Sequence, residues 1–233
     1  MTGTATPPRN ARRLLAPALA AVLAVAGVVV LVMALLGGGP TAPEPAAAAP
    51  GAQPAGAPAA GPVGDVPPGA TPEGPVLSPA PPAEITIPAI GVASPVERVG
   101  LNPDGTLGVP APGPLYDRAA WYTGSSAPGF RGPSVILGHV DSAKNGPSVF
   151  FDLGKMEPGQ EIVVRRTDGI VATFVVDQVR SFPKNTFPSR SVYADVDRAE
   201  LRLITCGGEF DSAAHSYRDN TVVFAHLTGS RRG

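Results

Sequence analysis

From Glu84 onward the chain consists of short segments in which apolar and polar residues alternate, and turn-forming residues separate each segment from the next. Asn-Pro-Asp-Gly at 102–105 and Glu-Pro-Gly at 157–159 are typical of such turns. Strands are predicted from Ile85 on, and then at 96–99, 106–109, 135–137, 161–166, 171–179, 201–205 and 221–226. Many short strands at this spacing predict a closed β-barrel or a β-sandwich. Only short helical segments are expected, around 116–122 and near 197–200.

Residues 37–82 consist largely of Pro, Ala and Gly, and only Glu44, Asp65 and Glu73 among them are charged. The segment has no aromatic residue, so it cannot bury enough apolar surface to offset the entropy lost on ordering. Its prolines favour the polyproline II conformation, which makes a semi-stiff linker. The linker is either a spacer that holds a domain away from its anchor or a simple tether. About 150 residues follow it, which suffices for one sizeable core.

An uncharged apolar stretch at 14–36 follows an N-terminal segment, 1–13, that carries Arg9, Arg12 and Arg13. About 20 apolar residues cross a bilayer as a helix. The apolar core of a cleaved signal peptide is shorter, at about 7–15 residues, and a buried core helix would have a polar face, which this stretch lacks. We therefore predict an uncleaved transmembrane anchor. Because the arginines precede it, 1–13 should be cytoplasmic and the rest of the chain extracellular.

Charge and composition argue against several other roles. The formal net charge is −1 and no basic tract occurs beyond the N-terminus, so nothing points to nucleic-acid binding. Asp141, Asp177 and Asp211 could be considered as metal ligands, but their spacing fits no standard metal-binding loop. No metal or other cofactor is therefore expected.

His226 is interpreted as a polar position of the last strand, and the role of His215 is left open.

The only cysteine of the chain, Cys206, follows the apolar run 201–204 and precedes two glycines. This pattern predicts a buried strand that ends at Cys206 in a tight glycine turn. A lone cysteine can be simply a small buried apolar residue. It can also be a nucleophile, because the rigid end of a strand can hold a side chain in place for chemistry.

A nucleophilic cysteine needs a partner for proton transfer and a group that stabilises the developing oxyanion. Two further strand ends carry such groups: His139 follows an apolar strand, and Arg218 immediately precedes the last one. Arg218 could equally form a surface ion pair with Asp211 or Asp219, which is the usual role of an exposed arginine.

The order and local sequence of these motifs resemble the sortase family, the membrane-anchored cysteine transpeptidases of Gram-positive cell envelopes. Five segments carry the resemblance: Leu-x-Thr-Cys at 203–206, Gly-His at 138–139, Arg218 before a strand, Ile-Pro-Ala-Ile-Gly-Val at 87–92 and Pro-Ser-Val-Phe-Phe-Asp-Leu at 147–153. The likeness covers about 83–228 and leaves 229–233 as a C-terminal tail. The strings at 137–141 and 206–211 look most like the actinobacterial class F group.

The resemblance implies a mainly β domain, an eight-stranded β-barrel with a few short helices. It also implies a site in which Cys206 attacks a peptide carbonyl, His139 transfers protons and Arg218 supplies positive charge near the oxyanion. Support for the substrate and the oxyanion is expected from three neighbours: Thr205, Gly207 and Gly208.

The implied substrates are surface proteins that bear a Leu-Pro-x-Thr-Gly-like sorting signal, cleaved between Thr and Gly through a thioacyl intermediate. The implied acceptor is an amine of peptidoglycan or of its lipid-linked precursor. Two alternatives stay open at this point. One is a membrane-tethered cysteine peptidase that hydrolyses its acyl-enzyme, and the other is a wall-binding module without catalysis.

Overall fold

The computed structural model describes residues 41–46 and 74–233. The strands in these residues are β1 (Pro82–Ile87), β2 (Val92–Val99), β3 (Ala119–Tyr122), β4 (Gly132–Leu137), β5 (Asp141–Ser142), β6 (Gly146–Pro147), β7 (Glu161–Arg166), β8 (Ile170–Pro183), β9 (Ala199–Asp211) and β10 (Ser216–Arg232). The helices described are all short: α1 (Ser189–Tyr193) and the 3-10 turns Pro88–Ile90, Leu153–Lys155 and Lys184–Thr186.

Eight of these strands close into a barrel in the order β1-β2-β3-β4-β9-β10-β8-β7. The pairs β2–β3 and β4–β9 are parallel, and the other pairs around the barrel are antiparallel. β5 and β6 form a separate two-stranded sheet. The closed eight-stranded barrel that the resemblance implied is confirmed, and closure leaves the barrel without an unpaired strand edge.

Alternating side chains fill the interior of the barrel. β7 shows the pattern most clearly, since Ile162 and Val164 are fully buried while Glu161 and Arg165 are exposed. Full burial of one such apolar side chain contributes about 1.5–3 kcal/mol. The alternation therefore decides which face of the strand turns inward.

The two neighbouring strands β4 and β9 are buried on both faces over most of their length. A second apolar cluster covers their other face, where Val192 of α1 packs with Val135 and Ile204. Burial on both faces explains why these strands are continuous apolar runs in the sequence. Because His139 follows β4 and Cys206 lies within β9, the candidate site is built on strands that are packed on both faces.

Three local predictions were wrong. The segment 116–122, predicted as a helix, is a turn followed by β3, which is buried between β2 and β4. Its alanines favour a helix, but strand pairing across the barrel overrides that local preference. Residues 106–109 form no strand, and only Leu107 makes an isolated bridge to Leu101. A turn was expected near 197–200, where β9 already begins.

The strand that carries Cys206 does not end at the thiol, as the sequence had predicted. β9 continues to Asp211 and stays paired with β10. The expected tight turn at Gly207 and Gly208 is therefore wrong: φ of Gly208 is 71°, which glycine adopts readily, but the chain does not reverse there. Arg218, expected before the last strand, lies inside β10 at a shift in the pairing register.

At the C-terminal end, β10 runs to Arg232 and so includes most of the segment 229–233 that the sequence set apart as a tail. At the N-terminal end, the predicted segments 1–13 and 14–36 and most of the predicted linker lie outside the described residues. Within 41–46 and 74–233, no helix is long and apolar enough to cross a membrane.

The last residues of the predicted linker, 74–81, contact the barrel. The Leu77 N–H donates to the Gly129 carbonyl at 2.7 Å. The guanidinium of Arg166, whose side chain is 1% exposed, donates to the Ser78 carbonyl at 2.6 Å. These bonds make the segment part of the folded domain.

We expect a protein that begins at Gly74 to be more stable than one that begins at Pro82. The longer protein keeps Ser78 as an acceptor for the buried guanidinium of Arg166, and a buried donor left unsatisfied costs about 1–3 kcal/mol. Urea unfolding followed by circular dichroism measures the difference in the free energy of unfolding. Equal unfolding midpoints would show that 74–81 adds nothing to the stability of the barrel.

Candidate active site

Two adjacent parallel strands lead to the candidate residues: His139 lies two residues beyond β4, and Cys206 lies within β9. Leu137 of β4 pairs with Ile204 of β9. The register is kept beyond β4, since the Gly138 N–H donates to the Ile204 carbonyl at 3.2 Å. If this register continues one residue further, it predicts His139 opposite Cys206, at the spacing of neighbouring strands, about 4.7–4.9 Å.

Thr205 and Gly138, which adjoin Cys206 and His139 in the sequence, join β9 to the end of β4. The Thr205 hydroxyl donates to the Gly138 carbonyl at 2.8 Å and is buried. A Cβ atom on residue 138 would lie 2.5 Å from Val149 and 2.8 Å from Phe150, so only glycine fits there. Thr205, predicted to support the substrate, thus uses its hydroxyl to join β9 to the backbone just before His139.

The ring of His139 is oriented by the segment between β2 and β3. Its Nε2 lies 2.9 Å from the Pro110 carbonyl. Because a carbonyl can only accept, Nε2 carries the proton of this bond. The Tyr116 ring stacks on the imidazole with centroids 3.9 Å apart and planes 3° from parallel. These contacts leave Nδ1 as the other position for proton transfer.

Two tyrosines meet at Asp141, close to the thiol. The Tyr116 hydroxyl donates to the Asp141 carbonyl at 2.8 Å, and the Tyr217 hydroxyl donates to the Asp141 carboxylate. Burial raises the pKa of both phenols, and the charge of Asp141 raises each further. The charge of Cys206 acts in the same direction on both. Both hydroxyls are therefore protonated at neutral pH and are near enough to interact with a thiolate.

The thiol of Cys206 is free and half-buried. In the neighbouring strand β10 it lies opposite Asn220. The ammonium group of Lys184, from the 3-10 turn after β8, lies 3.5 Å from Sγ. A cation beside a partly exposed cysteine is the kind of environment that favours the thiolate.

Arg218 pairs with acidic side chains of β9. Its guanidinium lies 3.2 Å from Glu209 and 3.6 Å from Asp211, and its side chain is 58% exposed. The pKa of Asp211 is lowered, first by the backbone amides of Ala214 and Ala213 and then by Arg218. The pairing with Asp211 is one that the sequence had allowed for, and the role of Arg218 in catalysis stays a prediction.

Gly207 and Gly208 allow β9 and β10 to approach closely. A Cβ atom on residue 207 would lie 2.5 Å from the Thr221 hydroxyl, and one on residue 208 would lie 2.7 Å from the Asp219 carboxylate. Both glycines are thus needed for strand packing. Their predicted role as backbone donors to the oxyanion stays a prediction.

The remaining histidines and aspartates have other partners. His226 Nδ1 lies 2.7 Å from the Asp177 carboxylate, which agrees with its interpretation as a polar position of the last strand. His215 lies between β9 and β10 with φ of 48°. The three aspartates considered as metal ligands contact different groups, and no cluster of three or more potential metal ligands occurs in the part of the chain that the structure describes.

The sequence did not point to Tyr116, Tyr217 or Lys184 as neighbours of the thiol. Tyr116 belongs to a segment predicted as a helix, and Tyr217 adjoins Arg218 without a motif of its own. Lys184 follows a long strand, with no motif around it. The pairing of β8, β10 and β9 positions Lys184 and Tyr217, and the segment between β2 and β3 positions Tyr116.

Comparison with known proteins identifies the family of the domain. The sortase domain model matches residues 85–228, which is more than half of the chain. No curated protein sequence matches.

Several solved structures are similar in fold. Sortase A of Listeria monocytogenes is 19% identical with a TM-score of 0.49, covering 66% of this chain and 91% of its own. Sortase C of Streptococcus pneumoniae is 21% identical with a TM-score of 0.48, covering 63% of this chain and 65% of its own. Sortase A of Corynebacterium diphtheriae is 21% identical with a TM-score of 0.48, covering 64% of this chain and 62% of its own.

The family assignment rests on the match of the sortase domain model to nearly the whole barrel. The barrel itself carries the free Cys206 on β9, two residues beyond the last residue pair of the parallel strands β4 and β9. The chain belongs to the sortase family and is a cysteine transpeptidase.

Proposed function

We propose that the chain is a membrane-anchored sortase similar to the class F group. It cleaves a Leu-Pro-x-Thr-Gly-like sorting signal between Thr and Gly and joins the new carboxyl end to an amine of the cell wall. The observation that supports the proposal is the parallel register of β4 and β9, which pairs Leu137 with Ile204 and leads to His139 just beyond β4 and Cys206 within β9. The apolar stretch 14–36, preceded by three arginines, supports an anchor with the catalytic domain outside the membrane.

The acylation step uses Cys206 and His139. The Sγ thiolate forms a bond to the scissile carbonyl carbon, and the carbonyl π pair moves to oxygen. When the tetrahedral intermediate collapses, the C–N bond breaks and the leaving amine takes a proton from His139. A thioacyl enzyme remains.

In the second step His139 accepts a proton, whereas in the first step it donates one. An acceptor amine attacks the thioester carbonyl and gives a proton to His139. The C–S bond then breaks and regenerates the Cys206 thiolate, so no oxidant, metal or nucleotide is consumed. Water in place of the amine would yield a carboxylic acid, which is the product of a peptidase.

Arg218 is assigned to the oxyanion in this mechanism. Its contacts with Glu209 and Asp211 are exposed, and exposed ion pairs contribute only about 0–1 kcal/mol. An incoming substrate can therefore exchange with these carboxylates at little cost. The guanidinium then offers a fixed charge and a planar fork of donors to substrate carbonyls.

The test is to incubate the full-length chain with a Leu-Pro-x-Thr-Gly peptide library and a glycine-peptide amine, and to read the products by mass. We expect an amide joining Thr to the amine, formed faster than the free carboxylic acid. Acid alone would identify a hydrolase, and no turnover of any library member would favour a wall-binding module.

A second experiment tests the anchor by cell fractionation. We expect the full chain in the membrane fraction and a protein lacking 1–36 in the soluble fraction.

A further inference from the structure

We propose that Lys184 is an additional catalytic residue, which holds Cys206 as a thiolate through direct contact between its ammonium group and Sγ. The proposal deepens the function above and rests on Cys206 being the nucleophile. It assigns the positive charge next to sulfur to a residue outside the trio of His139, Cys206 and Arg218.

The Lys184 ammonium group has two partners. It lies 3.5 Å from the sulfur of Cys206 and 2.9 Å from the Ser216 hydroxyl. The Ser216 hydroxyl in turn donates to the Tyr217 carbonyl at 3.2 Å. The serine thus anchors the ammonium group, which would otherwise move freely at the end of a long side chain.

The fold explains how Lys184 reaches the thiol from two strands away. β8 ends at Pro183, which pairs with Asp219 of β10, and Asp219 pairs on its other side with Gly207 of β9. Lys184 begins the 3-10 turn that follows at once. Its four-carbon side chain is long enough to pass over β10 to the Cys206 side chain.

Other charged groups near the thiol are already engaged. The guanidinium of Arg218 faces Glu209 and Asp211, and Nε2 of His139 donates to a backbone carbonyl. Among the described residues, Lys184 is therefore the cation that contacts sulfur.

The acidic and phenolic groups around the thiol do not compete for this ammonium group. Asp219 accepts from the Ser181 hydroxyl at 3.2 Å, and Asp141 accepts from Tyr217. The phenols of Tyr217 and Tyr116 are neutral at neutral pH, because burial and Asp141 raise their pKa values. The charge of Lys184 therefore acts on Cys206 without an intervening anion.

The chemical consequence concerns the fraction of nucleophile that is ready to react. The thiolate, not the thiol, attacks the carbonyl, and a neighbouring cation favours the thiolate. Lys184 is exposed, so solvent weakens the interaction and we expect a moderate effect. A change of about tenfold in the rate at which the thiolate reacts near neutral pH is the size expected.

The experiment measures alkylation of the full-length chain by iodoacetamide as a function of pH, read by mass at the single cysteine. We expect Lys184→Gln to slow alkylation about tenfold near pH 7 and to converge with the unmodified protein above about pH 10, where free thiols are ionised. Lys184→Arg should restore part of the rate, because it keeps the charge. Lys155→Gln is the control, since Lys155 is likewise an exposed lysine, and its partner is the Asp152 carboxylate instead of the thiol.

Superimposable pH profiles for Lys184→Gln and the unmodified protein would overturn the proposal. If Lys184→Gln fails to fold, Ser216→Ala removes only the anchor of the ammonium group, and an unchanged profile there overturns the proposal as well. A different experiment detects failure of the proposed function. Peptide turnover that persists in Cys206→Ala would refute the cysteine mechanism, whereas the alkylation profile reports only on the contact between Lys184 and sulfur.

Discussion

Replacement of Cys206 by alanine is expected to lower the turnover of a sorting-signal peptide by on the order of 10⁴-fold or more, the size of effect seen when a covalent nucleophile is removed. No other thiol exists in the chain to take its place. The fold should be kept, because Cys206 is only half-buried and forms no disulfide. Peptide cleavage followed by chromatography gives the rate, and thermal unfolding gives the stability.

Cys206→Ser is the informative companion, because it keeps the size of the side chain but replaces the thiolate with a weakly acidic hydroxyl. We expect it to be as inactive as the alanine variant. Turnover of either variant near that of the unmodified protein would refute the assignment of Cys206. A large drop in melting temperature would instead point to a structural role for the thiol.

The strands that the sequence predicted are those whose own residues show a recognisable pattern, such as the alternation of apolar and polar residues. In β7 the alternation of buried and exposed residues matches the predicted bounds 161–166. The short, buried β3 has no such pattern. It exists because β2 and β4 pair with it across the barrel, and pairing between distant segments cannot be read from local residue order.

The sequence predicted β9 and β10 as shorter strands than the structure has, for a related reason. The two glycines after Cys206 are typical of a turn. Here they occur where Thr221 and Asp219 of the neighbouring strand leave no room for a Cβ atom. Glycine is needed here for close packing of two strands. That requirement comes from the partner strand and cannot be seen in the local sequence.

The sequence marks candidate site residues by their motifs, but it does not indicate which side chains contact them. The motif around His139 marks the end of β4, the motif around Cys206 lies within β9, and these two strands pair in parallel. The contacts that orient these groups come from distant segments: Tyr116 on the imidazole and Lys184 on the sulfur. A side chain that reaches a site from outside a motif leaves no signal in a single sequence.

For Arg218, replacement by alanine is expected to lower kcat/KM on the order of a hundredfold, the typical effect of losing one oxyanion donor. Arg218→Lys keeps the charge but loses the planar fork of donors, so it should recover only part of the rate. The expected rate order is therefore arginine, then lysine, then alanine. Melting temperatures should be nearly equal, because Arg218 is 58% exposed and an exposed ion pair contributes about 0–1 kcal/mol.

Arg165→Ala provides the matched control for Arg218→Ala. Arg165 is 54% exposed and pairs with Glu84 on β1, which is remote from the strands that carry the site. Its loss should leave kcat/KM unchanged. If Arg218→Ala behaves like this control, Arg218 is a surface ion-pair partner and the oxyanion must be held by other donors. If Glu209→Gln raises kcat/KM while Arg218→Ala lowers it, the carboxylate competes with the substrate for the guanidinium, which is the exchange that the proposed mechanism requires.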